Sequence, residues 1–71
     1  MSVKQTIRDQ ILNDLNLRLK IALALGIGEE SVKRAAERNS GSLTKVAAVN
    51  VLKKELGLTE AQIFEVDTIN N

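Results

Sequence analysis

The chain has 71 residues, with ten Lys or Arg against nine Asp or Glu, so its formal net charge is +1. It contains no Cys, His, Trp or Tyr, which excludes disulfides and removes thiolate metal ligands, the commonest general base and the large aromatic anchors of ligand pockets. We therefore expect one small domain that folds by apolar packing, without enzymatic activity, catalytic residues, metal or cofactor.

The apolar segments of the sequence indicate where the protein is located in the cell. No run of about 18 apolar residues is present to span a membrane, and the start MSVKQTIRDQ lacks the apolar centre of a signal peptide. We expect a cytoplasmic protein with no membrane partner and no evident small-molecule substrate.

The charges are unevenly distributed along the chain. Residues 17–38 carry five basic and three acidic groups, whereas residues 58–71 carry three acidic groups and no basic one. The mildly basic centre is compatible with a small contact to nucleic acid.

Two helices are predicted in the first 25 residues. Val3, Ile7 and Ile11 recur at helical spacing and predict a helix over residues 3–14, with Ser2 as its cap. Residues 17–27 alternate apolar and other side chains, which also fits a strand. The intervening Ala, Leu, Arg and Lys residues favour a second helix over residues 17–25, with Asn16 as its cap.

The second helix has two apolar stripes. Leu17, Ile21 and Leu25 form one, and Leu19 and Leu23 form the other. The second stripe is interpreted either as core or as the seam of a homodimer. Gly26 then ends the helix, because glycine reaches positive φ without steric cost, and Ile27 is predicted to fold back into the core.

A third helix is predicted over residues 29–38. Glu29 and Glu30 lie in its first turn, and Lys33, Arg34 and Arg38 follow, which is the order that the helix dipole favours. The same charges also allow ion pairs at i,i+4, Glu29 with Lys33 and Glu30 with Arg34, on a solvated face. The predicted buried side is Val32, Ala35 and Ala36.

Two more helices complete the chain. Residues 43–56 form a helix with Ser42 as its cap and Gly57 after its end. Thr59 with Gln62 makes a capping box that opens a fifth helix over residues 60–66, and the tail from Asp67 is predicted to fray. The sequence thus predicts a compact all-α domain of five helices, a single domain over residues 1–71.

Several of these residues match a known motif. Ala22, Gly26, Ile27 and Val32 have the spacing of the helix-turn-helix in the lambda repressor and Cro family, with Ala22 at the closest approach of the two helices. The segment Leu56, Gly57, Leu58, Thr59 is similar to the entry into the last helix of that family. The resemblance covers about residues 18–65 and implies a five-helix lambda repressor-like domain.

The resemblance also implies a function. In that family the second helix of the motif enters the major groove and the first crosses the DNA backbone. The resemblance therefore implies a sequence-specific DNA-binding transcriptional regulator of phage-repressor type, acting as a dimer on a palindromic site of double-stranded DNA. The residues that would face DNA are Gly28, Glu29, Glu30, Lys33, Arg34 and Glu37, with Arg34 or Lys33 on guanine edges and Arg18, Lys20 and Arg38 on phosphates.

A second interpretation belongs to a different class of protein. The same helix-turn-helix scaffold can serve as a protein-interaction module without binding DNA, since fold does not imply function. Glu29, Glu30 and the acidic C-terminal end motivate this alternative.

Overall fold

The computed structural model describes residues 2–65 and confirms the predicted five-helix, all-α fold within that range. The helices are α1 (Gln5–Asn13), α2 (Leu15–Leu25), α3 (Glu29–Arg38), α4 (Val46–Leu56) and α5 (Glu60–Ile63), with a 3₁₀ turn at Gly41–Thr44. Two short strands, β1 (Ser2–Val3) and β2 (Phe64–Glu65), pair antiparallel with Val3 opposite Phe64. No helix in this part of the chain combines the length and the apolar character needed to cross a bilayer.

The core is apolar throughout the described residues. Helix α2 packs on α4 and on α3, and α1 packs on α3. No polar or charged residue between positions 2 and 65 is buried. Because a fully buried aliphatic side chain contributes about 1.5–3 kcal/mol, these contacts are the main stabilising force. The largest side chains that are completely enclosed are Ile11, Ile21, Leu43, Leu52 and Ile63.

The start of the chain differs from the prediction. The helix expected over residues 3–14 begins only at Gln5, so Ser2 does not cap it. Val3 is instead buried in β1, and the Lys4 N–H donates to the Ile63 carbonyl at 2.8 Å. A two-residue strand leaves no periodic signal, and its partner lies some 60 residues away in the sequence.

The start of α2 is also corrected. The Asp14 carboxylate accepts the Leu17 N–H at 3.1 Å, so Asp14 and not Asn16 is the N-cap. The helix therefore begins at Leu15, two residues before the predicted start. Asp and Asn are equally good caps, and their local sequence alone does not choose between them.

The fourth helix is shorter than the predicted range 43–56. The Ser42 N–H donates to the Ser40 side chain at 3.2 Å within the 3₁₀ turn, and Lys45 is extended before α4 begins at Val46. Ser42 is therefore not the cap of this helix. The extended Lys45 separates the 3₁₀ turn from α4 and allows Leu43 to be fully buried while Val46 faces outward.

The fifth helix opens as predicted and ends early. The Thr59 N–H donates to Gln62 Oε1 at 2.9 Å, which confirms the Thr59–Gln62 capping box. The helix ends at Ile63 because the next two residues pair with β1, whereas the prediction continued to residue 66. Val66 and the predicted frayed tail from Asp67 lie outside the described residues.

Candidate nucleic-acid interface

The turn between α2 and α3 has the hydrogen bonds of a Schellman motif. Gly26 has φ +69°, and its N–H donates to the Leu23 carbonyl at 3.3 Å. The Ile27 N–H donates to the Ala22 carbonyl at 3.0 Å. The left-handed φ explains why glycine stands here, and the paired bonds satisfy the last carbonyls of α2. The predicted helix stop at Gly26 is confirmed.

Small and aliphatic residues bring α2 and α3 together. Ala22 and Val32 are both buried, as their motif positions predict. Gly28 precedes α3, and its carbonyl accepts the N–H groups of Ser31 and Val32, without a side-chain cap. The prediction for the side chain of Ile27 is wrong: it is 39% exposed, and only its backbone holds the turn.

Helix α3 has the predicted bounds and two distinct faces. Val32, Ala35 and Ala36 are buried. Among the residues predicted to face DNA, those exposed on this helix are Glu30, Lys33, Arg34, Glu37 and Arg38. Within residues 2–65 the ion pairs are Arg18–Glu29, Lys20–Glu55 and Lys53–Glu60, so neither of the predicted i,i+4 pairs on α3 forms. The basic side chains Lys33, Arg34 and Arg38 of α3 thus form no ion pair with any carboxylate in the described part of the chain.

Arg18 and Glu29, both predicted to face DNA, bind each other. Arg18 Nε donates to Glu29 Oε2 at 2.5 Å, and Nη1 donates to the carbonyls of Ile11 at 3.0 Å and Leu12 at 2.6 Å. The Arg18 side chain is only 13% exposed. One guanidinium therefore joins the end of α1, the first turns of α2 and the start of α3.

Arg8 makes a similar connection, which the sequence analysis missed. Its Nη1 donates to the Ala36 carbonyl at 3.2 Å and its Nε to the Val3 carbonyl at 3.3 Å. Ala36 lies in the last turn of α3, where carbonyls lack partners within the helix. Two arginines thus hold α3, Arg18 at its start and Arg8 near its end. The Arg8 contact spans 28 positions, so no local signal predicts it.

Lys20 points away from the other basic residues of the motif. Its Nζ pairs with Glu55 Oε1 of α4 at 2.7 Å, and the lysine side chain remains half exposed. Arg18 contacts α1 and α3, so Arg18 and Lys20 lie on different sides of α2. The structure therefore brings Lys33, Arg34 and Arg38 together on α3 but does not add Arg18 and Lys20 to one continuous basic face.

The outer side of α2 carries an apolar stripe. Leu15, Leu19 and Leu23 follow one another at i,i+4 and are 53%, 47% and 85% exposed. The interpretation of Leu19 and Leu23 as core residues is wrong. Their interpretation as an interface stays a prediction.

A groove lies beside α3 on the side of the 3₁₀ turn. Its volume is about 310 Å³. It combines two basic residues, three hydroxyls and a small apolar surface: Arg34, Arg38, Ser31, Ser40, Ser42, Ile27 and Ala35. The groove thus shares Arg34 and Arg38 with the exposed face of α3.

Comparisons of the chain with protein-family models, with curated proteins and with solved structures find no match. The interpretation of the site therefore depends on its own residues and geometry.

Proposed function

We propose that this chain is a sequence-specific DNA-binding transcriptional regulator of phage-repressor type, with α3 as the helix that enters the major groove. The observation that carries the proposal is the α2–α3 unit. It combines the Gly26 turn, the buried Ala22 and Val32, and an exposed α3 face whose basic side chains have no described carboxylate partner. These are the features that a helix-turn-helix needs to place one helix in the major groove.

The exposed residues of α3 have distinct proposed roles. Arg34 or Lys33 donates to guanine O6 and N7, and Arg38 neutralises a phosphate near the end of the helix. Glu30 and Glu37 are exposed acceptors of the kind that bind the cytosine amino group. Gly28 has no side chain at the start of α3, which lets the backbone approach DNA closely.

Arg18 and Glu29 act indirectly in this proposal. Because their side chains bind each other and the end of α1, they position the first turn of α3. Lys20 adds a phosphate contact weakened by its partner Glu55. With a net charge of +1, each chain makes few phosphate contacts, so we propose that a dimer binds a palindromic site.

Binding to duplexes selected from a random library tests the proposal. Fluorescence anisotropy would follow affinity as salt is varied. We expect Arg34→Ala to weaken binding by about tenfold or more and to relax preference at one base pair, and Lys33→Ala to weaken it as well. Lys54→Ala is the control, because Lys54 is also exposed but lies on α4. Unchanged affinity in the two α3 variants, or affinity independent of salt, would exclude DNA recognition by α3.

One observation favours a second function, a protein-interaction module without DNA binding. The exposed stripe Leu15, Leu19 and Leu23 lies on α2, the helix that would cross the DNA backbone. Apolar surface gains nothing from phosphates but is typical of protein contacts. No enrichment in the duplex selection, together with a stable protein complex that Leu19→Gln disrupts, would favour this function over the first.

A further inference from the structure

Two arginines of α3 line the groove beside that helix. Arg34 and Arg38 are four residues apart on α3 and therefore lie on the same side of the helix, with Ser31 three residues before Arg34. Neither arginine has a carboxylate partner among residues 2–65. Two like charges at this spacing repel each other, and an anion bound between them would remove that repulsion.

The 3₁₀ turn and the residue before it supply hydroxyl groups to the groove. Ser40 directly precedes the 3₁₀ turn and Ser42 lies within it. Ser40 Oγ donates to Ser42 Oγ at 3.4 Å. The Ser42 hydroxyl therefore keeps its own proton to donate. Guanidinium groups with nearby hydroxyl donors match the tetrahedral oxygens of a phosphate, which arginine binds through two parallel N–H donors.

The groove is larger than a phosphate alone requires. Its volume of about 310 Å³ is at the lower end of the range for small-molecule pockets. Ile27 and Ala35 give it an apolar surface next to the arginines. Ile27 is partly exposed there and contributes its backbone, rather than a buried side chain, to the turn.

We propose that this groove binds a small organic phosphate. The phosphate lies between Arg34 and Arg38 and receives hydrogen bonds from the serine hydroxyls, while the organic part packs on Ile27 and Ala35. A consequence that rests on the proposed function is that the ligand competes with DNA, because Arg34 serves both. By linkage, DNA then weakens ligand binding by the same factor.

Nuclear magnetic resonance titration of the full chain, without DNA, tests the site. The probes are phenyl phosphate, inorganic phosphate and phenol, which separate the phosphate from the apolar part. We expect phenyl phosphate to shift the amide signals around Arg34, Arg38 and Ser42 and to bind about tenfold more tightly than inorganic phosphate, and phenol to cause no saturable shift.

Matched variants locate the binding groups. Arg34→Gln and Arg38→Gln should each weaken phenyl phosphate binding by about tenfold, and Ile27→Ser should reduce it to the level of inorganic phosphate. Lys33→Gln is the control, since Lys33 is exposed on α3 but does not line the groove. Circular dichroism would verify that each variant is folded.

Three results would overturn the proposal. One is an equal loss of phenyl phosphate affinity in Lys33→Gln, which would mean that the anion is attracted to the basic helix in general and not to the groove. Another is an affinity for phenyl phosphate no higher than that for inorganic phosphate, which would mean that the apolar surface does not contribute. The third is a saturable shift with phenol, which would mean that the apolar surface and not the arginines provides the binding. Because the titration contains no DNA, a failure of DNA binding leaves its outcome unaffected.

Discussion

Arg18 and Glu29 form an ion pair, with 2.5 Å between Nε and Oε2, that connects the first turns of α2 and α3. The same guanidinium also donates to two carbonyls at the end of α1. Three helices therefore meet at one side chain. Any change in this pair alters how the start of α3 is held, before any contact with a ligand is considered.

Loss of the Arg18 side-chain contacts should destabilise the fold. Arg18→Met keeps the aliphatic stem but leaves Glu29 and two carbonyls without a partner. We expect the free energy of unfolding to fall by about 2 kcal/mol, less than for a fully buried pair because Glu29 is partly exposed. Urea denaturation would measure it. The control Lys20→Met breaks an exposed pair and should cost less than about 0.5 kcal/mol; equal losses would contradict the difference in roles.

Glu29→Gln distinguishes a positioning role from direct contact with DNA. If Glu29 faced phosphates, removal of its charge would strengthen binding. Because it binds Arg18, we expect affinity for the selected duplex to fall by about threefold, with an unchanged salt dependence, since no phosphate contact is lost. Glu60→Gln is the matched control, because it removes a charge from an exposed ion pair with Lys53, away from α3, and should not weaken binding. An increase in affinity for Glu29→Gln would show that its charge meets DNA.

Gly26 is required for its backbone angle and not for space. A Cβ at Gly26 would meet no atom within 4 Å, but φ is +69°. Gly26→Ala should therefore lower the stability by about 1 kcal/mol. Gly41→Ala is the control, because Gly41 has equal space and no left-handed φ, and it should be neutral or slightly stabilising. Thermal unfolding would compare the two, and equal effects would contradict the role of the left-handed turn.

Substitutions of two helical leucines should differ sharply in their effect on stability. Leu52 is completely buried on α4, whereas Leu23 is 85% exposed on α2. We expect Leu52→Ala to cost about 3 kcal/mol through lost contacts and a cavity. Leu23→Ala should cost less than about 0.5 kcal/mol. A large loss at Leu23, measured at low protein concentration, would show that its side chain is buried in the monomer.

The exposed stripe on α2 makes a prediction about self-association. If the stripe is a homodimer seam, Leu19→Gln should convert a dimer to a monomer without changing the circular dichroism spectrum, because apolar area is lost only between chains. Sedimentation velocity over a range of concentrations would measure the change. Val46→Gln is the control, as Val46 is another exposed apolar residue on a different helix. A wild-type chain that stays monomeric at all concentrations would exclude the stripe as a homodimer interface.

Much of the fold was predictable because its signals are local. The bounds of α3 follow from Gly28 before it and the charges within it. The stop at Gly26 and the box at Thr59 and Gln62 each depend on residues within one turn of helix. The predicted starts of α1, α2 and α4 were less accurate, because Lys4, Asp14 and Lys45 and not the expected residues directly precede these helices.

The candidate site divides in the same way. Residue type and spacing placed Lys33, Arg34 and Arg38 on α3 and predicted their exposure together with Glu30. They did not predict that Glu29 turns to Arg18, because that contact joins residues on two helices. Nor did they decide whether the stripe on α2 is core or exposed, since alternating leucines have the same pattern in a core and on a surface.

By itself, the sequence determined the five helices, the glycine turn and the charges available on α3, because periodicity, capping and left-handed φ act over a few residues. Only the tertiary structure decided which charges are partners, how Arg8 and Arg18 hold α3, and that Ser42 lines the same groove as Arg34 and Arg38. The physical reason is that these arrangements depend on how the helices pack. Packing is set by the whole apolar core and not by any one segment.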